Sequence, residues 1–200
     1  VTAKKVALIG GAGFIGHTLA LKLTELGASV TIFDSFTVNN FVNALTDRER
    51  QNKLLYKAFL EERFHLLEAA GVGLFATNAT DRYEVSKILE EDFDVVYVLA
   101  AVSHASRSNL DPEMAIKNGA LPLQNLIFEC IKRPSLRLVY LSSSTVYGNF
   151  TKETVNEDDH CKPFGVYAVL KHCGEQILKA CSEVSDLNYS VIRPSALYGE

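Results

Sequence analysis

The chain has only four cysteines in 200 residues, and no two of them form a CxxC pair. A domain of this length needs no disulfide staples, so the four read as free thiols, which fits a reducing compartment. No apolar run approaches the ~20 residues that span a bilayer, and there is no basic cluster behind the net charge of -4. Membrane and nucleic-acid partners are therefore excluded. Residues 1–10 lack the apolar core and cleavage site of a signal peptide, so a cytoplasmic location is expected. Val1 is not methionine, which allows the numbering to begin inside a longer chain. The adjacent pairs His160–Cys161 and His172–Cys173 are weak metal ligands, because a helix across 164–184 points neighbours apart, and no metal is expected. The 48% hydrophobic and 22% charged content suits one α/β domain over residues 1–200.

What is present is organised around VALIGGAGFIG, Val6 to Gly16. A short apolar run meets a glycine turn, and Ile15, Leu19, Leu23 and Leu26 then repeat at helical spacing, which predicts strand, tight loop and helix. Gly10, Gly13 and Gly16 stand three apart, so a bare backbone can turn, approach a phosphate and pack its helix close. Phe14 and Ile15 open that helix, whose N-terminus offers free N–H groups to a pyrophosphate. A glycine triplet alone is equally an ordinary turn. Ser29 to Asp34 then reads as a second strand ending in an acid, near the ~20-residue spacing for a carboxylate on an adenosine ribose. Asp34 repels a 2′-phosphate, and Ser35, Phe36 and Thr37 include no arginine to pair with one, so NAD is expected over NADP.

Between this strand and the next lies a helical insert at about 40–71, with a helix predicted from Thr46 to Ala70 and a stop at Gly71. Val72–Thr77 is the third strand, followed by a capping box at Asp81 and Glu84. Asn78 and Ala79, just past the strand end, are placed to edge an adenine, although an asparagine there is equally a turn residue. Asp94–Ala101 reads as a strand buried on both faces. Its end, Leu99, Ala100 and Ala101, is slim enough for a cofactor to pass, and Ser103 and His104 follow at the cleft mouth, where His104 is equally a loop cap. Asp111 and Pro112 start a helix toward Ile131, which Pro122 should kink or interrupt near Asn118. Leu136–Leu141 is a fifth strand that opens directly into SSSTVYG.

Tyr167 and Lys171 stand four apart on a predicted helix, hence on one face. An ammonium beside a phenol favours the phenolate; moving a tyrosine from ~10 to near 7 takes roughly 4 kcal/mol, and burial opposes it. Taken with GGAGFIG at 10–16, Asp34, LAAVSHASRS at 99–108, SSSTVYG at 142–148 and RPSALYG at 193–199, the chain resembles the extended short-chain dehydrogenase/reductases, the NAD-dependent epimerase/dehydratase group, and within it the UDP-sugar 4-epimerases.

The resemblance implies a Rossmann-like doubly wound parallel sheet in the order 3-2-1-4-5-6, with NAD held by Gly10, Gly13, Phe14, Ile15, Gly16, Asp34, Asn78, Ala79, Leu99, Ala100, Ala101, Asn118, Tyr167 and Lys171. It makes Tyr167 the acid/base, Lys171 the holder of the nicotinamide ribose, and Ser143 a second donor to the sugar oxygen. Ser103, His104 and Ser144 become substrate contacts. The implied activity is nucleotide-sugar epimerisation through transient oxidation at C4. A reductase, decarboxylase or dehydratase, or a non-catalytic NAD sensor, are the alternatives. Ser144 and Thr145 stand where the dehydratases carry an Asp-Glu pair, Asn78 where the family usually has an aspartate, and Leu121–Pro122 where it has Gly-Thr. The resemblance also implies that the small C-terminal substrate domain is absent from this chain. A homodimer through a four-helix interface is implied too, with Leu123, Leu126, Ile127, Ile177 and Leu178 available either to the sheet or to a partner.

Overall fold

In a computed structural model, residues 3–46, 52–101, 105–150 and 153–198 are described. The first strand, β1 (Lys5–Ile9), is buried after its first residue, and its alternating side chains part to the two faces of a sheet. Ala7 and Ile9 join one core with Val96, Val98, Leu126 and Leu138. Val6 and Leu8 join the other with Ala20, Val30, Ile32 and Leu67. A strand apolar on both faces is what a sheet covered by helices on each side requires.

The helix α1 (Phe14–Glu25) lies against the second core through Gly16, His17 and Ala20. Its expected apolar stripe stops at Leu23, since Leu26 is 75% exposed. After β2 (Ser29–Asp34) come two helices, α2 (Phe41–Thr46) and α3 (Lys53–Ala69), where one was expected from Thr46 to Ala70; residues 47–51 of that expectation lie outside the described residues. Gly71 ends the insert in a left-handed turn. The strands β3 (Gly73–Ala76) and β4 (Val95–Val98) are shorter than their apolar runs and are separated by α4 (Arg82–Ile88). The capping box is only half formed. Asp81 accepts from Tyr83 and Glu84 backbone N–H groups, but the Glu84 carboxylate reaches Asn78 N at 2.5 Å, not the Asp81 amide.

Beyond α5 (Ala105–Leu110), α6 (Pro112–Ile131) is capped by Asp111, which accepts from Met114 N at 2.9 Å. Pro122 does not interrupt α6. The proline and its neighbours Leu123, Leu126 and Ile127 are buried, and that packing outweighs the single ladder bond to the Asn118 carbonyl that a proline cannot make. Four of the five residues weighed for a dimer face, Leu123, Leu126, Ile127 and Leu178, are committed to the core, and Ile177 alone is exposed. The chain closes with β5 (Arg137–Leu141), a 3₁₀ turn at Ser144–Tyr147, α7 (Val166–Glu183) and β6 (Tyr189–Ile192).

The six strands run β3-β2-β1-β4-β5-β6, and every neighbouring pair is parallel. Ile9 stands opposite both Phe33 and Val98, so the carboxyl ends of β1, β2 and β4 are level. The chain winds outward in opposite directions from β1, and the crevice between β1 and β4 is where such sheets bind ligands. Among the described residues no helix is long and apolar enough to cross a membrane.

Candidate dinucleotide and active site

The glycine turn sits at the head of that crevice. Gly10 has φ +76°, and a Cβ there would lie 2.6 Å from the Ala100 backbone. Its N–H donates to the Phe33 carbonyl at 2.7 Å, while Leu99 and Ala100 N–H groups share the Ile9 carbonyl at 2.9 Å. Gly16 is equally crowded, with a Cβ only 2.2 Å from Gly11 O. Gly13 differs, because the nearest atom to its Cβ position is Asn39 Nδ2 at 3.8 Å. Its φ of -79° is open to any residue, so among the described residues nothing in the protein itself demands glycine at 13, and the space over the turn is open. Phe14 and Ile15, as the first two residues of α1, leave their N–H groups without helical partners beside that space. These features fit a dinucleotide diphosphate. Gly13→Ala is expected to leave the unfolding midpoint unchanged and to weaken NADH binding, whereas Gly10→Ala and Gly16→Ala each lose about 2 kcal/mol or more of stability; chemical denaturation beside NADH titration checks both.

Asp34 is buried at the end of β2, where Oδ2 accepts from Ala12 N at 3.0 Å and Oδ1 from Phe36 N at 2.8 Å. It thus ties the glycine turn to the strand end, a structural duty its spacing alone did not reveal. Each carboxylate oxygen keeps a second lone pair for a ribose hydroxyl. At the end of β3, Asn78 Oδ1 accepts from Thr80 N at 3.1 Å and Thr80 Oγ1 at 2.8 Å, which is the turn role. Ala79 is buried, and its carbonyl accepts from Asn125 Nδ2 at 3.0 Å.

Tyr167 and Lys171 lie on the inner face of α7 and share the wall of a small cavity with Ala101, Ala115, Gly119 and Tyr140. Asn118 is half-buried next to Gly119 and does not line that wall. Ser143 is buried at the start of the 3₁₀ turn, accepting from Thr145 N at 3.2 Å and Thr145 Oγ1 at 3.0 Å, and it is close enough to Tyr167 to pull the phenol's pKa downward. Lys171 Nζ donates to the Leu141 carbonyl at 2.6 Å and stands 5.9 Å from the Tyr167 ring centre. Burial pulls the Lys171 amine down to about 8. Burial also pushes the Tyr167 phenol above its ordinary value, against the opposing pull of Ser143. The expected preference for phenolate is therefore not built into the protein alone, because burial outweighs the pull of Ser143. Ser144 N donates to Pro194 O at 2.9 Å, and Ser144 lines a second, open cavity with Glu157 and Arg193. Ser103 and His104 lie outside the described residues.

Three positioning groups escaped the sequence reading. Asn109 Oδ1, on α5, accepts from Val166 N at 2.9 Å, capping α7 where Gly165 (φ +83°) has no side chain to do so. One turn beyond Lys171, Glu175 is buried and accepts from Ser142 Oγ, from Arg193 Nε at 3.0 Å and from Arg193 Nη2 at 2.7 Å. This joins α7 to the ends of β5 and β6 around Ser143, and the Glu175 bond holds the Arg193 guanidinium above its ordinary range. The repeat of four from Tyr167 to Lys171 to Glu175 was the available signal. Glu175→Ala strands the Arg193 charge and is expected to cost about 3–5 kcal/mol, read by urea denaturation. Cys161, His172 and Glu175 do come within 4.8 Å of one another, though Arg193 already supplies the cation at Glu175. The third is Arg63 on α3, whose Nη1 donates to Ala12 O at 3.0 Å and Asn39 Oδ1 at 3.4 Å. Ser35, Phe36 and Thr37 after Asp34 carry no cation, whereas Arg63 arrives from the insert.

A family model described as the NAD dependent epimerase/dehydratase family matches residues 6–200. UDP-glucuronate 4-epimerase 3 of Arabidopsis thaliana is 28% identical over 197 residues, covering 97% of this chain and 42% of that protein. Among solved structures, a UDP-N-acetylglucosamine 4-epimerase from Methanobrevibacter ruminantium, in complex with UDP-N-acetylmuramic acid, is 25% identical with a TM-score of 0.74, covering 96% of this chain and 55% of that one. A UDP-glucose 4-epimerase from Brucella ovis in complex with NAD shares the fold at 20% identity and a TM-score of 0.75, covering 96% and 51%. The chain spans about half the length of these relatives. With the glycine turn, the level strand ends and the Ser143–Tyr167–Lys171 cluster in place, the chain belongs to the NAD-dependent epimerase/dehydratase family.

Proposed function

We propose that this chain binds NAD and is the dinucleotide-binding part of a nucleotide-sugar 4-epimerase. The observation that carries the reading is Tyr167 and Lys171 in one cavity wall with Ala101 at the sheet's switch crevice, with buried Ser143 near enough to influence the phenol. A sensor of NAD needs no buried proton carrier; a reversible alcohol oxidation does. Gly10 and Gly16 shape the turn, Gly13 leaves room for the diphosphate, and Asp34 accepts from the ribose. Bound NAD supplies the acceptor and donor of the two electrons exchanged at the sugar carbon. Tyr167 takes the proton of the C4 hydroxyl as the carbon becomes a ketone and returns it when the alcohol re-forms. Ser143 holds the same oxygen, and the Lys171 ammonium stabilises the phenolate in between. Relatives named as 4-epimerases of UDP-glucuronate and UDP-N-acetylglucosamine support a UDP-sugar as substrate.

The test is proton NMR of the NAD-loaded protein, as the 200-residue chain and with any natural C-terminal extension. It is mixed in turn with UDP-glucose, UDP-N-acetylglucosamine and UDP-glucuronate. A new anomeric signal from the C4 epimer is expected with one of them. Silence from every form, with NAD binding confirmed, removes the epimerase reading.

A further inference from the structure

Among the described residues Arg63 pairs with no acid. Its two hydrogen-bond acceptors are neutral, the Ala12 carbonyl and the Asn39 side-chain oxygen, and its Nε is buried with no partner. Withdrawal from water lowers its pKa, and a cation held in that way is costly unless an anion joins it.

The surroundings have the same sign. Arg63's charge helps to lower the pKa of His17, one turn into α1, and the first turn of α1 contains no acidic residue. Asn39 is oriented by its bonds, because Oδ1 accepts from both Arg63 and the Tyr56 hydroxyl, the latter at 3.2 Å. That leaves Nδ2, a donor, facing the open space over Gly13 at 3.8 Å. The space is thus bordered by donors and positive charge, on the one glycine of the turn that has neither a crowded Cβ position nor a positive φ.

Resting on the NAD-binding reading above, we propose that Arg63 and Asn39, delivered by the segment between β2 and β3, bind the diphosphate of the dinucleotide from the side opposite α1. The insert is then part of the cofactor site. Arg63 supplies the charge that glycine-turn amides lack, and Asn39 hands it to the phosphate oxygens.

Two variants separate this from a role in which Arg63 only staples Ala12. Arg63→Gln removes the charge. Asn39→Asp keeps an acceptor for Arg63 and Tyr56, gives the guanidinium its missing acid, and replaces the donor facing Gly13 with a negative oxygen. NADH, ADP-ribose, NADPH and adenosine are titrated by fluorescence and calorimetry at several salt concentrations, with thermal unfolding alongside. Both variants are expected to weaken NADH and ADP-ribose by about tenfold or more while changing adenosine less than twofold. The salt dependence of NADH binding becomes shallower in Arg63→Gln. Asn39→Asp loses this affinity while melting at a higher temperature than the parent, which a structural staple does not predict. Unchanged NADH affinity in Asn39→Asp, or equal weakening of adenosine and NADH, overturns the assignment. So does a loss confined to NADPH, which would place the charge at a 2′-phosphate. A parent chain that binds no dinucleotide at all removes the NAD reading itself, and this assignment with it.

Discussion

Tyr167→Phe is expected to reduce sugar turnover by about 10²- to 10⁴-fold, the range supplied by a positioned proton carrier, with NADH affinity within twofold of the parent. The variant deletes one hydroxyl, which has Ser143 nearby, and leaves the ring that packs in the cavity wall beside Ala101 and Leu170. Stability should therefore move by no more than about 1 kcal/mol, the net worth of one hydrogen bond. The helix that presents the ring is fixed from outside by Asn109 on the Val166 amide, and from below by Glu175 on Arg193, so the backbone has no cause to shift. The remaining activity should also lose its dependence on the phenol. In the parent, burial keeps Tyr167 protonated through neutral pH, so the proton-accepting direction accelerates as pH rises; in the phenylalanine variant that rise disappears. Epimer formation by NMR, measured across pH on parent and variant, checks both parts. Near-parent turnover would remove Tyr167 from the chemistry and return weight to the sensor alternative.

The parts of this molecule that sequence made legible are those governed by local pattern. Alternation and apolar runs locate β1, β2 and β5, while the order 3-2-1-4-5-6 is implied by the family resemblance together with the rules of parallel connection. Spacing locates Gly10, Asp34, Tyr167 and Lys171, since each lies a short, fixed distance from its element's start or end. Pattern overstates two elements. The run at 94–101 is apolar through Ala101, yet β4 ends at Val98 because Leu99 and Ala100 both turn their N–H groups to the Ile9 carbonyl. Pro122 has the local signature of a break, and packing of its neighbours against the sheet keeps α6 whole. What remained hidden is long-range pairing of polar groups. Asn109 reaches α7 across 57 positions and Arg63 reaches Ala12 across 51; neither has a periodicity, and hydrogen-bond partners that far apart are set by the fold alone. Asp34 shows the limit most clearly, because its spacing raises the expectation of a ligand contact while concealing the two amides it already holds.

Lys171→Met is expected to abolish turnover and, at neutral pH, to make the chain more stable. The Lys171 side chain is almost fully buried, and its single hydrogen-bond acceptor among the described residues is the neutral Leu141 carbonyl. Burial lowers the amine from 10.5 to about 8. Below about pH 8 the folded and unfolded chains both carry the proton, and the folded one bears the whole cost of the buried charge. Between about 8 and 10.5 the unfolded chain holds the proton that the folded chain has released, so the parent gains stability as pH rises; above 10.5 the penalty is gone. A difference of that size corresponds to about 3 kcal/mol. Methionine fills a similar volume without the charge, and leaving the Leu141 carbonyl unpaired costs about 1 kcal/mol in return. The variant should therefore be about 2 kcal/mol more stable at pH 7, and about 1 kcal/mol less stable than the parent well above pH 10.5. Urea denaturation at the two pH values reads the reversal of sign directly. A lysine kept for structure would show the opposite, a variant weaker at pH 7. A variant that is sturdier and inactive would mean that the charge is held in the cavity wall at the expense of the fold, for what it does to Tyr167 and to the ribose beside it.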